Sequence, residues 1–350
     1  MKNIITVSGI RPDFIRMSEI FKKLDSHDEI NHTLIHTGQH YDKLLSDIFF
    51  EDLNIRRPDY NLNIGSNGKT HYEQQAELGP KIINLIKSKN LNPDLILFLG
   101  DSNSVLASIP LKKEGYRIAH IEACMRSYDD RMLEEINRRA CDHVSDLLFA
   151  YHDNYKIKGI KEGIHESKIH VVGNTIVEPL KNIFDLNYSG KQEHIILDIH
   201  RPENFNHKDR LKSIIEFSKE CSDKYSKPIV MLEFNRTMIK LKEFDISLKK
   251  IETSPLMGYK KFIRLMQDSL FIISDSGTAQ EEPALLNKPV VVPRDFTERP
   301  ESMENNCSML YNLNNKSKIF EWIESWERCN SDWLGIGNTS DKIVDIINEK

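Results

Sequence analysis

The sequence predicts an α/β protein of two domains, each built on a parallel β-sheet with helices on both faces. Short apolar segments of strand length alternate with helical patterns along the whole chain. These segments are apolar throughout, as in strands that are buried on both faces, and do not alternate between apolar and polar residues. The chain has 350 residues. At ~100–200 residues per domain, this length allows two domains with separate cores.

The first half of the chain contains six strand candidates. They are Ile4–Val7, Thr33–His36, Leu95–Leu99, Ile118–Ile121, Leu147–Ala150 and Ile169–Val172. Apolar residues at helical spacing (i, i+3, i+4) lie between them. The clearest helical segments are Pro12–Leu24, Tyr72–Ile86 and Glu134–Val144. This order predicts successive βα units that form one parallel sheet.

The second half repeats the same scheme. Its predicted strands are His194–Ile199, Pro228–Leu232, Leu270–Ser274 and Val290–Val292, and its predicted helices are Asp209–Lys224, Tyr259–Gln267 and Ala279–Leu286. We place the domains at residues 1–175 and 176–335, because helix and polar loop replace the strand pattern there. Residues 336–350, with a helical pattern over Asp341–Glu349, are predicted to pack back on the domains. Two such domains imply a cleft in which ligands bind beyond the carboxyl ends of strands.

Composition excludes several classes of protein. With 48 Lys+Arg, 53 Asp+Glu and 39% hydrophobic residues, the chain is an ordinary globular protein with no general attraction for nucleic acid or a membrane surface. The five cysteines form no CxxC pair or Cys/His cluster, so we expect neither a disulfide framework nor a metal site. The first apolar segment, about five residues long, is too short for a signal peptide or a membrane span. We therefore expect a cytoplasmic protein.

Polar residues gather where the predicted strands of the first half end. The first strand leads into a turn containing Arg11, which with the helix N-terminus offers an anion site or is simply a capped turn. Asp101 follows the third strand, as an N-cap or a ligand-facing acid. Glu122 directly follows the next strand, and Glu134 shares a helix face with Arg138 at i, i+4. Three acids near one sheet edge favour a functional site.

The second half has polar strand ends of a different character. His200 and Arg201 follow its first strand, a pairing that suits a diphosphate. Asp275-Ser276-Gly277-Thr278 follows another strand and leads into a predicted helix, again an anion cradle. Glu282, one turn later, is placed to accept hydrogen bonds from ribose hydroxyls. A capped helix explains each feature nearly as well, but two in one domain favour a nucleotide.

The ordered set of motifs resembles one known family. SGIRPD, HTGQHYD, GDSNS, HIEACMRS, LEEINRR, GNT, HRPEN, DSGTAQEE and RDFTERPE span residues 8 to 301, and together they strongly resemble the non-hydrolysing UDP-N-acetylglucosamine 2-epimerases. The resemblance implies two Rossmann-like domains facing across a cleft, as in GT-B glycosyltransferases. It also implies a UDP-sugar substrate, no cofactor and a homodimer. The absence of a GxGxxG fingerprint agrees with a reaction that uses no NAD.

The resemblance also implies a mechanism. Family members eliminate UDP across C1–C2 to give a 2-acetamidoglycal, and they add UDP back after C2 is reprotonated on its opposite face. The C2 hydrogen is not α to a ring carbonyl, so simple deprotonation is very hard. Such a reaction needs proton-handling groups on both faces of C2 and cations for the departing diphosphate.

Carried over motif by motif, the resemblance assigns roles to individual residues. Asp101, Glu122 and Glu134 correspond to the family's essential acids. Glu122 and Glu134 are the candidates for proton exchange, and Asp101 holds substrate or acts as an acid or base. His200 corresponds to the essential histidine near the diphosphate. The residues expected to bind substrate or UDP are Arg11, Arg16, Arg126, Arg138, Ser276, Gly277, Thr278, Glu282 and Arg299.

Several positions depart from the family pattern. Asp13 replaces a usual Glu, Leu133 a usual Pro and Cys124 a usual Gly. Phe234 stands where bacterial members have a His, in the region where a second UDP-GlcNAc activates the enzyme. Gln39 and His40 of that region are retained, but Phe234 cannot donate a hydrogen bond, which argues against activation by substrate.

Alternative functions stay open at this point. The first hypothesis is conversion of UDP-GlcNAc to UDP-ManNAc, and the second is 2-epimerisation of a modified sugar from the UDP-2,3-diacetamido-glucuronate or UDP-N-acetyl-L-fucosamine pathways. A carboxylated sugar would need a cation near C6, which Arg126 or Arg131 could supply. Other hypotheses are a GT-B glycosyltransferase, a hydrolysing epimerase and a UDP-sugar-binding regulator. A regulator without turnover would be expected to lack the acids, and all three are present.

Overall fold

A computed structural model describes residues 1–38, 50–65 and 70–350 of the protein. The chain divides into two compact units. Unit 1 comprises Met1–Asn182 and Leu334–Lys350, and unit 2 comprises Ile183–Trp333. Within the described residues, no helix combines the length and apolar character needed to cross a membrane.

Unit 1 is built on a seven-stranded parallel sheet with the order β3-β2-β1-β4-β5-β6-β7. Its strands are β1 Lys2–Ser8, β2 Ile30–His36, β3 Tyr60–Asn61, β4 Leu95–Leu99, β5 Ile118–Ile121, β6 Leu147–Ala150 and β7 Ile169–Val171. Its helices include α1 Arg11–Ser26, α2 His71–Ser88, α3 Ser108–Lys113, α4 Leu133–Val144, α5 Asp153–Lys161 and α6 Val177–Ile183. Shorter 3₁₀ turns are Asn103–Ala107 and Glu166–Lys168, and the turn Asp332–Leu334 spans the boundary between the two units.

The central strands of unit 1 are buried because helices cover them. All five residues of β4 are buried, and β4 pairs with β1 on one side and β5 on the other. One apolar cluster joins β1, β4 and β5 to α2, with Ile96 and Ile82 both fully buried. The carboxyl ends of β1, β4 and β5 therefore lie side by side.

The last helix belongs to unit 1. Helix α14, Thr339–Glu349, lies against α1, with an ion pair between Lys23 Nζ and Asp341 Oδ1 at 2.6 Å. The Ser340 hydroxyl donates to the Glu178 carboxylate at 2.7 Å. Thus the chain terminus contacts elements of the N-terminal sheet unit.

Unit 2 is built on a six-stranded parallel sheet with the order β10-β9-β8-β11-β12-β13. Its strands are β8 His194–Asp198, β9 Ile229–Leu232, β10 Ile251–Ser254, β11 Ser269–Ser274, β12 Val290–Val292 and β13 Ser308–Leu310. Its helices are α7 Pro202–Phe205, α8 Lys208–Tyr225, α9 Asn235–Glu243, α10 Tyr259–Gln267, α11 Glu282–Leu285, α12 Pro300–Glu304 and α13 Lys316–Ser325. The two parallel sheets confirm the predicted α/β class.

Sequence patterning predicted the outer strand β7 but missed the other three outer strands of the two sheets. These are β3, β10 and β13, each two to four residues long. Three of the four β10 residues are polar, and none of the four is buried, so no apolar run marks this strand. Edge strands pair on one side only and need less apolar surface.

The predicted helix Ala279–Leu286 is wrong as one continuous element. The chain instead forms a 3₁₀ turn, Thr278–Gln280, followed by the short helix α11. Pro283 has no N–H to donate to the carbonyl of Ala279, so an α-helical hydrogen-bond ladder cannot run through this segment.

Candidate active site

Glu122 lies at the carboxyl end of β5 and forms an ion pair with Arg16 of α1. Both side chains are only 3% exposed. Removing one partner of a buried ion pair costs ~3–5 kcal/mol in measured cases, because the other charge stays buried. The structure therefore places one predicted catalytic acid beside one predicted phosphate-binding cation, within unit 1.

The backbone that carries Glu122 is strained. Glu122 has φ 67° and Cys124 has φ 63°, both in the left-handed region, which costs side-chain-bearing residues ~1–2 kcal/mol. Such strain persists only where the surroundings fix it. Here the buried Asp142 carboxylate accepts from the Cys124 backbone N–H at 3.0 Å and from His120 Nδ1 at 2.7 Å.

His120 links the two acid-bearing turns. Its Nε2 donates to the carbonyl of Gly100 at 2.8 Å, next to Asp101, and its Nδ1 donates to Asp142. Burial alone would lower the pKa of His120, but the charges around it, including Asp142, raise this pKa well above its usual value. A protonated, fully buried His120 therefore joins the turn after β4 to the turn after β5.

Asp101 is held by helix α4. Its carboxylate pairs with Arg138, whose side chain is 1% exposed, and its backbone carbonyl accepts from Asn137 Nδ2 at 2.8 Å. Glu134 lies four residues before Arg138 in the first turn of α4 and is half-buried. Glu135 is fully buried instead, and it accepts from the backbone N–H and hydroxyl of Ser127.

Asp13 is a fourth acid at this edge, and it stands where the family pattern has a Glu. One of its oxygens accepts from the backbone N–H groups of Gly9 and Ile10, at 3.1 and 3.3 Å. Burial raises the pKa of Asp13 to about 7; those hydrogen bonds lower it and the charge of Asp101 raises it further. Asp13 thus titrates near neutral pH and carries its proton below it.

The guanidinium of Arg126 is bound by other groups of the protein. Its Nε and Nη2 donate to Glu162, and its Nη1 donates to the carbonyl of Met125 and forms an ion pair with Asp142 at 2.7 Å. The side chain is 1% exposed. These contacts favour support of the strained turn over contact with a phosphate.

His200 is the central residue at the carboxyl end of the unit 2 sheet. Its Nδ1 lies 2.9 Å from Asp198 Oδ1 and 3.4 Å from Asp275 Oδ1. Its ring lies 4.7 Å from the ring of Phe234, centroid to centroid. Asp275 also accepts from the backbone N–H groups of His200 and Arg201, at 3.0 Å each, so this buried acid fixes the turn after β8.

The group Asp198, His200 and Asp275 has ligand atoms within 4.8 Å of one another, as a metal site would. However, both oxygens of Asp275 and both of Asp198 already accept hydrogen bonds from protein groups. The arrangement is therefore explained as a hydrogen-bond network around His200.

The turn after β11 presents hydroxyl groups at the same end of the sheet. Ser276 Oγ and Thr278 Oγ1 are 3.0 Å apart, and both residues are half-buried. A Cβ on Gly277 would lie 2.5 Å from Arg299 Nη1 and 2.7 Å from Glu298 Oε1. Arg299 is 3% exposed and also donates to Glu281. The ion-paired side chains of Arg299, Glu298 and Glu281 therefore pack against the turn.

The expectation of a helix N-terminus after Thr278 needs correction. The 3₁₀ turn there has only three residues, too few for a macrodipole that would attract a diphosphate. The anion-binding groups that remain are the hydroxyls of Ser276 and Thr278 and the backbone N–H groups. Glu282, predicted for the ribose, begins α11 and is 4% exposed.

Comparison with known proteins decides the family. A sequence profile of the UDP-N-acetylglucosamine 2-epimerase family matches residues 22–348. The UDP-N-acetylglucosamine 2-epimerase of Methanocaldococcus jannaschii is 38% identical over 365 residues, covering 97% of each chain. This chain belongs to the UDP-N-acetylglucosamine 2-epimerase family.

Other members of the 2-epimerase family extend the comparison. A crystal structure of Methanocaldococcus jannaschii UDP-GlcNAc 2-epimerase in complex with UDP-GlcNAc and UDP matches with a TM-score of 0.89 and 36% identity, covering 100% of both chains. The UDP-2,3-diacetamido-2,3-dideoxy-D-glucuronate 2-epimerase of Pseudomonas aeruginosa is 34% identical over 317 residues, covering 88% of this chain and 87% of that one. The predicted family is confirmed.

The structure groups many of the residues predicted for a 2-epimerase. In unit 1, Arg16 pairs with Glu122 and Arg138 pairs with Asp101. Arg11 begins α1 and is half-buried. The catalytic and binding roles of these residues stay predictions, and Gln39 and His40 lie outside the described residues.

Sequence reasoning missed the acids that hold the site together. Asp142, Asp198 and Asp275 are buried partners of functional candidates. For Asp198 a signal was available. Asp198 lies two residues before His200 where the predicted strand ends, and side chains two residues apart in an extended chain point to the same side. Asp142 lies in a helix far along the chain from Cys124 and gave no such signal.

Proposed function

We propose that this protein is a non-hydrolysing 2-epimerase that interconverts UDP-GlcNAc and UDP-ManNAc. The observation that carries this proposal is the strained, buried Glu122 at the end of β5, ion-paired with Arg16 beside the Asp101–Arg138 pair. Such an arrangement presents carboxylates and cations at one sheet edge, where an elimination needs both. The 38% identity to a UDP-N-acetylglucosamine 2-epimerase supports the same substrate.

In the first step UDP leaves the sugar. A carboxylate removes the C2 proton, the electron pair of the C2–H bond forms the C1=C2 double bond, and the C1–O bond breaks with its electrons going to the diphosphate. We assign stabilisation of the negative charge on the departing diphosphate to His200 and to the Ser276–Thr278 turn of unit 2. Hydrogen-bond donors and positive charges that are already aimed at the negative charge developing on a leaving group lower the barrier.

In the second step the reaction reverses on the other face of C2. An acid protonates C2 of the glycal from the opposite face, and the diphosphate oxygen attacks C1. Glu122 and Glu134 are our candidates for the two faces, with Asp101 holding the sugar or acting as a further acid or base. Two acids are required because one group cannot deliver a proton to both faces of a ring that stays in place.

A modified sugar is the second candidate substrate. The specific observation is the 34% identity to a 2-epimerase of UDP-2,3-diacetamido-2,3-dideoxy-D-glucuronate. Its carboxylate at C6 would need a cation. Arg126 is buried against Glu162 and Asp142, whereas the side chain of Arg131 is 64% exposed, so Arg131 is the better candidate for that contact.

We also propose a cytoplasmic homodimer that supplies nucleotide sugars for polysaccharide synthesis. All five cysteines are free and buried, which suits a reducing compartment. Enzymes that build polysaccharides consume their sugar donors as activated nucleotide sugars, and a UDP-sugar is such a donor. Size-exclusion chromatography with light scattering will measure the oligomeric state directly.

One NMR experiment tests the proposed activity. The protein is incubated with UDP-GlcNAc in D₂O, and the C2 proton and anomeric signals are followed over time. Deuterium at C2 with UDP still attached is the expected result. Free ManNAc would indicate a hydrolysing enzyme. No exchange with UDP-GlcNAc or the diacetamido-glucuronate substrate would reject the epimerase and favour a transferase or binding protein.

A further inference from the structure

Asp198 is the last residue of β8, two residues before His200, and is 4% exposed. Its Oδ1 lies 2.9 Å from His200 Nδ1, and its Oδ2 accepts from the Ser274 hydroxyl at 2.8 Å. With Ser274 donating to Oδ2, a carboxylate at Asp198 accepts at Oδ1, so the proton between them resides on Nδ1. The contact therefore determines which ring nitrogen of His200 is protonated.

Two contacts hold the imidazole ring in place. Asp198 fixes its Nδ1 edge, and the ring of Phe234 lies against its face at 4.7 Å and 34°. The other nitrogen, Nε2, makes no hydrogen bond within the described parts of the chain, and the side chain is 29% exposed. Nε2 is thus the part of His200 that is available to a ligand.

Resting on the proposed function, we propose that Asp198 is a positioning residue that holds His200 as the imidazolium, in which Nδ1–H faces Asp198 and Nε2–H is available to the departing diphosphate. Asp198 itself does not contact the substrate. A carboxylate that fixes a histidine tautomer and stabilises the imidazolium is an established arrangement in other catalytic sites.

The charges around His200 agree with this role. Burial alone would lower the pKa of His200, but the carboxylates of Asp198 and Asp275 raise it above its usual value, and Arg201 lowers it. Asp198, Asp275 and Arg201 are thus charged groups that act on the ring, whereas Phe234, which packs against its face, is neutral. The imidazolium form therefore extends to higher pH than in a free histidine.

The same network reaches the turn that is proposed to hold the diphosphate. Ser274 Oγ donates to Asp198 and accepts from the backbone N–H of Ser276 at 3.1 Å. Two hydrogen bonds through Ser274 thus connect the Ser276–Thr278 turn to Asp198. His200 and the turn therefore belong to one hydrogen-bond network at the carboxyl end of the unit 2 sheet.

The test compares Asp198→Asn with the native enzyme and with Asp223→Asn. Asn has the same shape but no charge, and its NH₂ group can face Nδ1. The ring then favours the neutral form, which keeps its proton on Nε2 but lacks the positive charge that would face the diphosphate. Asp223 is the matched control, because it loses one carboxylate of unit 2 at an exposed site paired with Lys250. The readouts are kcat from pH 6 to pH 8 and the NMR titration of the His200 ring.

We expect Asp198→Asn to lower kcat by about tenfold or more at pH 8 and by less than about threefold at pH 6, where the medium protonates His200. The His200 titration midpoint should fall in this variant and stay unchanged in Asp223→Asn. An equal loss of kcat at all pH values, or an unmoved midpoint, would overturn the proposal. The NMR titration needs no turnover, so it tests Asp198 even if the native protein fails to exchange C2.

Discussion

At the residue scale, Glu122 is the side chain on which the chemistry depends most. Glu122→Gln keeps the shape of the side chain but removes the base. We expect C2 deuterium exchange to fall by at least about a hundredfold, the lower range for a general base, with UDP affinity retained. Exchange is measured by NMR in D₂O and UDP affinity by calorimetry. The binding measurement is also the control for folding, because Arg16 loses its charged partner. Unchanged exchange would remove Glu122 from the mechanism.

Asp13 links protonation to stability. Its pKa is raised from 3.8 to about 7 by burial, so the folded state holds a proton that the unfolded state releases in this pH range. Stability contributed by this group is present below pH 3.8 and is lost as the pH rises toward 7.

The isosteric variant Asp13→Asn tests this linkage, because one oxygen accepts both backbone hydrogen bonds. We expect the free energy of unfolding of Asp13→Asn, relative to the native protein, to rise between pH 4 and 7, by up to about 1.4 kcal/mol per pH unit. Urea unfolding at several pH values measures this difference. A difference that does not vary with pH would show that Asp13 does not titrate in this range.

Cys124 stands where the family pattern has a Gly, and the sequence alone did not explain this change. Packing against Gly159 explains it. A Cβ on Gly159 would lie 2.5 Å from Cys124 Sγ and 2.9 Å from Ile169 Cδ1. The absent side chain at residue 159 therefore provides the space that the thiol fills. Two positions 35 residues apart (159 − 124) are matched in volume.

A double-mutant cycle tests that match. Gly159→Ala should destabilise unit 1 by about 1–3 kcal/mol through overpacking. Adding Cys124→Gly should recover at least about 1 kcal/mol, because the thiol is removed and a left-handed residue becomes glycine. Urea unfolding of the four proteins measures the coupling, and strictly additive effects would contradict it.

At the element scale, the turn after β11 shows what a sequence pattern can and cannot predict. A strand followed by Ser-Gly-Thr indicated an anion-binding turn, and the structure places two hydroxyls there. The pattern could not show that Pro283 divides the expected helix, or that Arg299 and Glu298 lie beneath Gly277. Turn chemistry is local, whereas the packing beneath a turn comes from distant residues.

Gly277→Ala tests this packing. The new methyl group would displace the buried Arg299–Glu298 pair and shift the turn, so we expect UDP affinity to fall by about tenfold, or ~1.4 kcal/mol. The control is Gly115→Ala, because Gly115 has φ +93° but no atom within 4 Å of the added Cβ. It should cost stability and leave UDP affinity unchanged. Equal affinities of both variants for UDP in calorimetry would refute the role of Gly277.

Buried strands were the elements most accurately predicted. Leu95–Leu99, Ile118–Ile121, Leu147–Ala150 and Val290–Val292 begin and end as expected, since burial on both faces requires a continuous apolar run. The edge strands β3, β10 and β13 were missed for the opposite reason. The candidate acids were found for a related reason, since a carboxylate directly after a buried strand marks the carboxyl edge of a parallel sheet.

At the scale of the whole molecule, the α/β class and the family could be predicted because they depend on many ordered motifs. The partners of the site residues could not, since they come from elements distant in sequence. Arg16 meets Glu122, and Asp142 meets Cys124, only after the sheet has formed. The division at residues 175 and 176 stays a prediction.

In the proposed mechanism UDP leaves the sugar and returns during each turnover. UDP-GlcNAc carrying ¹⁸O in the bridge between C1 and the β-phosphate tests it most directly, followed by ³¹P and ¹³C NMR. We predict that the label spreads to the non-bridging oxygens of the β-phosphate as the C2 epimer forms, because the freed phosphate can rotate. An epimerised product that keeps all of its label in the bridge would contradict the elimination of UDP.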